Sequence, residues 1–90
     1  MNLDNKIKSR LNKAMNIDFL SINNNTEKHV NHKNYDGGAH YKLEIVSNAF
    51  EGLSLLEQHK LVYKALDGMI KKEIHALALK TISKSDWKKE

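Results

Sequence analysis

Two hydrophobic periods alternate along this chain, one helical and one of two residues. Leu3, Ile7, Leu11, Ala14 and Met15 recur at helical spacing, while Lys6, Arg10 and Lys13 fall on another face. Residues 3–15 are therefore expected to form an amphipathic helix with a basic outer stripe. Ile17-Asp18-Phe19-Leu20-Ser21-Ile22 is rich in β-branched and aromatic residues and predicts a strand, ended by Asn23-Asn24-Asn25. From Ala39 to Ser47 the alternation is regular. His40, Lys42, Glu44 and Val46 point one way; Tyr41, Leu43 and Ile45 point the other, as in a strand with one buried face. Between these strands lies a polar run, residues 26–38, containing Asn31, Asn34, Asp36, Gly37 and Gly38. It predicts a long loop joining a hairpin, and loops of that length in small domains are usually functional or mobile.

Asn48 to Leu53 is a connector, with Phe50 expected to anchor it in the core. Ser54 and Glu57 match a capping box, which opens a helix. Helical spacing then runs through Leu55, Val62, Leu66, Met69 and Ile70, with Leu55, Val62, Leu66 and Met69 expected in the core. Gly68 interrupts this stretch at a cost of roughly 1 kcal/mol relative to alanine. One kinked helix and two shorter helices both fit. Ile74 to Ile82 predicts a third strand. Ser83 or Ser85 then caps a short C-terminal helical turn carrying Trp87, which either lids the sheet edge or forms an exposed contact. The order is α-β-β-α-α-β. It predicts an α+β fold, a three-stranded sheet with helices on one face, as a single domain over residues 1–90.

Composition narrows the function. The 90 residues include no cysteine, so a disulfide framework is excluded and any thiolate chemistry must come from a partner. The net charge of +4 is spread evenly. Residues 1–45 carry seven Lys/Arg against five Asp/Glu, and residues 46–90 carry eight against six. Arg10 is the single arginine, which argues for attraction to phosphate or carboxylate over reading of base sequence. No apolar run reaches about 18 residues, so no membrane-spanning helix is expected. Met1-Asn2-Leu3-Asp4 does not open a secretory signal. A cytoplasmic protein is expected, or one of the mitochondrial matrix if a transit peptide was removed. There is no Gly-rich phosphate loop, no G-x-S-x-G elbow and no cysteine nucleophile, so no enzyme is expected.

One position stands out chemically. His75 lies within Ile74-His75-Ala76-Leu77-Ala78-Leu79, where a titratable ring is costly unless something pairs with it. A histidine in such a run is most simply a core-edge residue bonded to backbone. His29 and His32, both in the 26–38 segment, read most simply as solvated loop residues. His40 and His59 read as surface or packing residues, and the lysines as a solvated face.

The run from His40 to Ser47, then Phe50-Glu51-Gly52-Leu53-Ser54, Gln58-His59-Lys60-Leu61-Val62-Tyr63, Ile74 to Leu79 and a terminal tryptophan together resemble the BolA family. The resemblance runs from about residue 27 to 87. It implies the αββααβ topology related to the class II KH fold and a non-enzymatic role with monothiol glutaredoxins. In that role a [2Fe-2S] cluster bridges the two proteins, held by the glutaredoxin cysteine, a glutathione thiol and two side chains of the BolA-type partner. Carried onto this sequence, those two are His75 and His29, with His32 the second choice for the loop ligand. The docking surface is expected near Ala76, Lys80 and Lys84, and the free chain as a monomer or weak homodimer. Two imidazoles replacing two thiolates on one iron is established cluster chemistry, as in Rieske centres. An alternative implied by the KH-like fold is a nucleic-acid-binding transcriptional regulator acting on DNA through Lys60, Lys64, Lys71 and Lys72. KH domains grip backbone with a G-x-x-G loop. The corresponding stretch here, Gln58 to Leu61, lacks that glycine pair, and Gly52 stands alone.

Overall fold

The strand Ala39–Ser47 (β2) is the centre of the molecule. A computed structural model describes residues 3–24, 39–70 and 72–89. Helix α1 (Leu3–Ala14) leads into β1 (Ile17–Asn24), and β1 pairs antiparallel with β2. After β2 come a 3-10 turn (Asn48–Phe50) and α2 (Leu55–Ala65). The chain then enters β3 (Ile74–Ser83), which pairs parallel with β2, and ends in the short α3 (Lys84–Lys88). The sheet order is β1-β2-β3, so β3 is an edge strand.

The period-two pattern of β2 determines the layers. Tyr41, Leu43 and Ile45 are buried against Ile7, Leu11, Met15, Phe50, Val62, Leu66, Met69 and Ile74, the core between sheet and helices. The register carries this face across all three strands. Ile22, Leu43 and Leu79 form one row, and Leu20, Ile45 and Thr81 the next. The opposite, open face carries Asn23-Lys42-Ala78, then Ser21-Glu44-Lys80, then Phe19-Val46-Ile82. Val46 is 1 % exposed although it lies on this open face. The reason is α3, which packs on β2 and β3 and stacks Trp87 on Phe19 with ring centroids 6.0 Å apart. Trp87 therefore takes the first of the two expected places, as a lid over the end of the sheet, while staying partly exposed.

Local chemistry fixes the element ends. The Ser54 hydroxyl accepts from Glu57 N at 3.1 Å, and Glu57 Oε1 accepts from Ser54 N at 2.9 Å, the expected capping box. Ser83, not Ser85, caps α3, its hydroxyl accepting from Asp86 N. Ser85 instead donates through backbone and hydroxyl to Glu51, tying α3 to the turn before α2.

Two expectations are corrected. Helical structure does not continue to Ile70. It ends at Ala65, and Gly68 sits at φ +86°, a left-handed conformation that breaks a helix and favours glycine. The segment then closes as a turn, with Met69 O accepting from Ile74 N at 2.9 Å. Among the described residues no second helix follows Gly68; α2 is the one α-helix between β2 and β3, and the 3-10 turn lies in the stretch expected as a connector. Leu55 is not core but 61 % exposed, because it lies in the first turn of α2, where residues 54–57 are all exposed. Burial begins one turn later, where Gln58 accepts from the Thr81 hydroxyl at 2.6 Å and Val62 enters the core.

Candidate metal and partner site

His75 lies at an irregularity in the β2–β3 pairing. Ala39 is opposite Ile74, but the next residue, His40, is opposite Ala76. His75 is therefore the extra residue of a β-bulge, and it shares His40 as a neighbour with Ala76. Bulges re-aim a side chain and are enriched beside functional sites. Ile74 is fully buried, while His75 itself is exposed. In place of a ring buried in an apolar run, the structure has a solvated ring at the start of an edge strand. No large desolvation penalty has to be offset there.

A second imidazole lies alongside. The His40 and His75 rings have centroids 5.5 Å apart and are tilted by 54°. His40 is half-buried, in keeping with a packing residue, but its nearness to His75 has no signal in the residue pattern. Ala76 and Ala78, next to His40 and Lys42 in register, are small and exposed, so little side-chain bulk flanks the pair along β3.

Of the other expected site residues, His29 and His32 lie outside the described residues, as does Lys71. Among the described residues, no group of three or more His, Cys, Asp or Glu side chains is arranged to hold a metal ion. Lys80 and Ala76 are exposed on the open face with His40. Lys80 pairs with Glu44 at 3.6 Å, and Lys84, half-buried, with Asp18 at 3.6 Å. Lys60 and Lys64 belong to the helix layer. They line a shallow cavity of about 280 Å³ with Leu53, Glu57 and Leu61. A neighbouring cavity of about 380 Å³ is lined by Ala14, Met15, Ala49, Leu61, Lys64 and Ala65. Lys60 and Lys64, expected for nucleic acid, thus lie on the opposite side of the sheet from Ala76 and Lys80, expected for a metal-sharing partner. Residues 58–61 are helical, so nothing there resembles a glycine-rich gripping loop. Gly52, at φ +73°, forms a turn on its own. His59 is half-buried on α2, and its Nε2 has no hydrogen-bond partner among the described residues.

Two polar clusters brace this frame. Tyr41 donates to Asp4 Oδ1 at 2.5 Å, and burial followed by this bond pushes its phenol well above the ordinary tyrosine range. Ser47, fully buried, donates to Asn16 O at 2.5 Å and accepts from Ala49 N at 3.0 Å.

The family model described as BolA, BolA-like protein, matches residues 11–86. The chain belongs to the BolA-like family. The match reaches back into α1, beyond the stretch that carries the resemblance. A Haemophilus influenzae protein named DNA-binding transcriptional regulator BolA is 32 % identical over 98 % of this chain and 84 % of its own length. BolA1 from Arabidopsis thaliana superposes with TM-score 0.82 at 28 % identity, over 96 % of each chain. The BolA domain of SufE1 from the same plant gives TM-score 0.81 at 30 % identity, over 96 % of this chain and 98 % of that one. The α+β architecture read from the strand and helix pattern is thus the fold of these BolA structures.

Proposed function

We propose that this BolA-like chain is a non-enzymatic partner of a monothiol glutaredoxin and contributes His75 to a shared [2Fe-2S] cluster. It would act in cluster assembly, trafficking or iron sensing. The supporting observation is the exposed His75 ring, set out by a β-bulge at the start of an edge strand. A ligand shared with another molecule must be reachable from outside, and this one is. The chain has no thiol of its own, so the sulfur donors come from the partner and from glutathione. When bound, the cluster supplies an iron with two ligand positions that neutral imidazoles can fill. What this chain does is hold His75 on a paired strand and present Ala76, Lys80 and Lys84 as a docking surface. His29, or His32 in second place, is the proposed second ligand. The test is co-purification with a monothiol glutaredoxin and glutathione. A coloured complex, with a visible spectrum distinct from that of the glutaredoxin alone, is expected; failure to associate overturns the proposal.

A second reading is favoured by the name of the Haemophilus influenzae relative: a DNA-binding regulator using Lys60, Lys64, Lys71 and Lys72. Phosphate contacts by several lysines make affinity fall steeply with salt. Absence of DNA binding at low ionic strength would dispose of it.

A further inference from the structure

We infer that the outer side of α2 and the end of α1 form a docking groove for an acidic amphipathic helix of a second protein. The groove belongs to the helix layer, on the opposite side of the sheet from Ala76 and Lys80. It is therefore separate from the docking surface proposed above and does not rest on the glutaredoxin reading.

The groove is made of the two cavities of about 280 and 380 Å³, which share Leu61 and Lys64 and so join side by side. Leu53 and Leu61 wall the first; Ala14, Met15, Ala49 and Ala65 wall the second. The second lies at the end of the sheet where β1 starts and β2 stops. Glu57 and Lys60 mark the first cavity along α2, and Lys64 and Ala65 the second, about one helical turn further on. A turn rises about 5.4 Å. Side chains at i and i+4 of another helix are spaced similarly, at about 5–6 Å. Two successive aliphatic anchors of one incoming helix therefore match the two depressions. The outer side of α2 extends this apolar surface. Leu55, Leu56 and Tyr63 are three of the five large hydrophobic side chains exposed among the described residues. Leu56, Lys60 and Tyr63 share one face at i, i+4 and i+7, and Lys60 joins that face to the groove. Exposed apolar surface with a polar rim marks an interaction site.

The rim sets the partner's charge. Lys60 and Lys64 stand one turn apart, and Lys64 makes no hydrogen bond or ion pair among the described residues. Glu57 is the single acidic residue of the lining, and its carboxylate already accepts from Ser54 N at 2.9 Å. Carboxylates beside the anchors of the incoming helix complement this rim. Nucleic acid also suits lysines, but its bases stack on aromatic rings, and the lining of the two cavities has none. A free small molecule is enclosed over roughly 70–90 % of its surface, whereas this groove is shallow at its first cavity.

The test titrates the full isotope-labelled chain with an acetylated, amidated helical peptide carrying leucines at i and i+4 and glutamates on either flank. Saturable amide shifts centred on Ala14, Ala49, Leu61 and Lys64 are expected, with Ala76, Ala78 and Lys80 unmoved. The same peptide with lysines in place of the glutamates should bind at least about fivefold more weakly. Lys60→Glu combined with Lys64→Glu should reverse that preference. Ala14→Trp, at an exposed position, fills the second cavity and should weaken both peptides. The inference is overturned if the acidic peptide does not bind, if its shifts centre on the open face of the sheet, or if the native chain binds both peptides alike. Shifts at the same residues on raising the concentration of the chain alone overturn it in favour of a second copy. A single-stranded oligonucleotide that shifts Lys60 and Lys64 where the acidic peptide does not overturns it in favour of nucleic acid. The preference of the native chain between the two peptides decides the matter even if a variant fails to fold.

Discussion

Replacing Ser47 with alanine removes a polar joint that holds three segments at once. Its hydroxyl donates to Asn16 O, in the link between α1 and β1, and accepts from Ala49 N, in the 3-10 turn after β2. Each intramolecular hydrogen bond contributes about 0.5–1.5 kcal/mol net, and a buried group left unpaired costs about 1–3 kcal/mol. The bond to Asn16 O is part-buried, which places the penalty there toward the lower end of that range. Ala49 is half-buried, which places its N–H nearer the middle of that range. The sum is about 2–3 kcal/mol. A domain of this size has roughly 5–13 kcal/mol of stability in all, so the loss is a large fraction. It corresponds to a fall of about 10–20 °C in Tm. Urea denaturation followed by far-UV circular dichroism should show a lower midpoint with an unchanged slope, since the native fold is retained. A change below about 0.5 kcal/mol, the range of neutral surface substitutions, would refute the view that Ser47 is a structural joint.

Tyr41→Phe should cost about 1.5–3 kcal/mol, because the lost bond is to a carboxylate. Since the native state raises the Tyr41 pKa, its contribution is complete below the unfolded tyrosine value of about 10 and is lost as pH rises toward the folded value. Native stability should therefore fall across that alkaline window, and Tyr41→Phe should lack that part of the fall; identical alkaline profiles would contradict it. Glu51 and Glu57 are held below the usual carboxylate range, Glu51 by the Ser85 hydroxyl and backbone N–H and Glu57 by the Ser54 backbone N–H and hydroxyl. Their contributions are present above the unfolded carboxylate value and fade as pH falls through the folded one, so Glu51→Gln should flatten the acid limb of a stability–pH curve. Phe19→Ala should lose about 0.5–1.5 kcal/mol of ring pairing beyond its area, and should red-shift Trp87 fluorescence; an unshifted spectrum would contradict the stack.

Much of this architecture is legible in the residues because β2 alternates with a period of two from Tyr41 to Ile45 and α1 has a clear helical stripe. Ser54 and Glu57 mark the start of α2 by chemistry that is local in sequence. The end of α2 is harder to read. Leu66, Met69 and Ile70 keep a helical spacing after the helix has stopped, because the turn around Gly68 folds Leu66 and Met69 into the same core. Leu55 deceives for the opposite reason: it has the right spacing but lies where the helix overhangs the core. The site shows the same division. His75 is conspicuous as a ring in an apolar run. His40 is not, since its place beside His75 depends on how two strands distant in sequence pair, and on a one-residue shift between them. Pairing irregularities of that kind are tertiary facts and leave no periodic trace.

The role proposed for His75, a ligand to a cluster whose thiolates come from elsewhere, is tested most directly by visible circular dichroism of the complex with a monothiol glutaredoxin and glutathione. Native chain and His75→Ala are compared. The native complex should give a spectrum different from that of the glutaredoxin alone, and His75→Ala should abolish that difference while the chain remains folded. A His75→Ala complex with the native cluster spectrum would contradict the assignment.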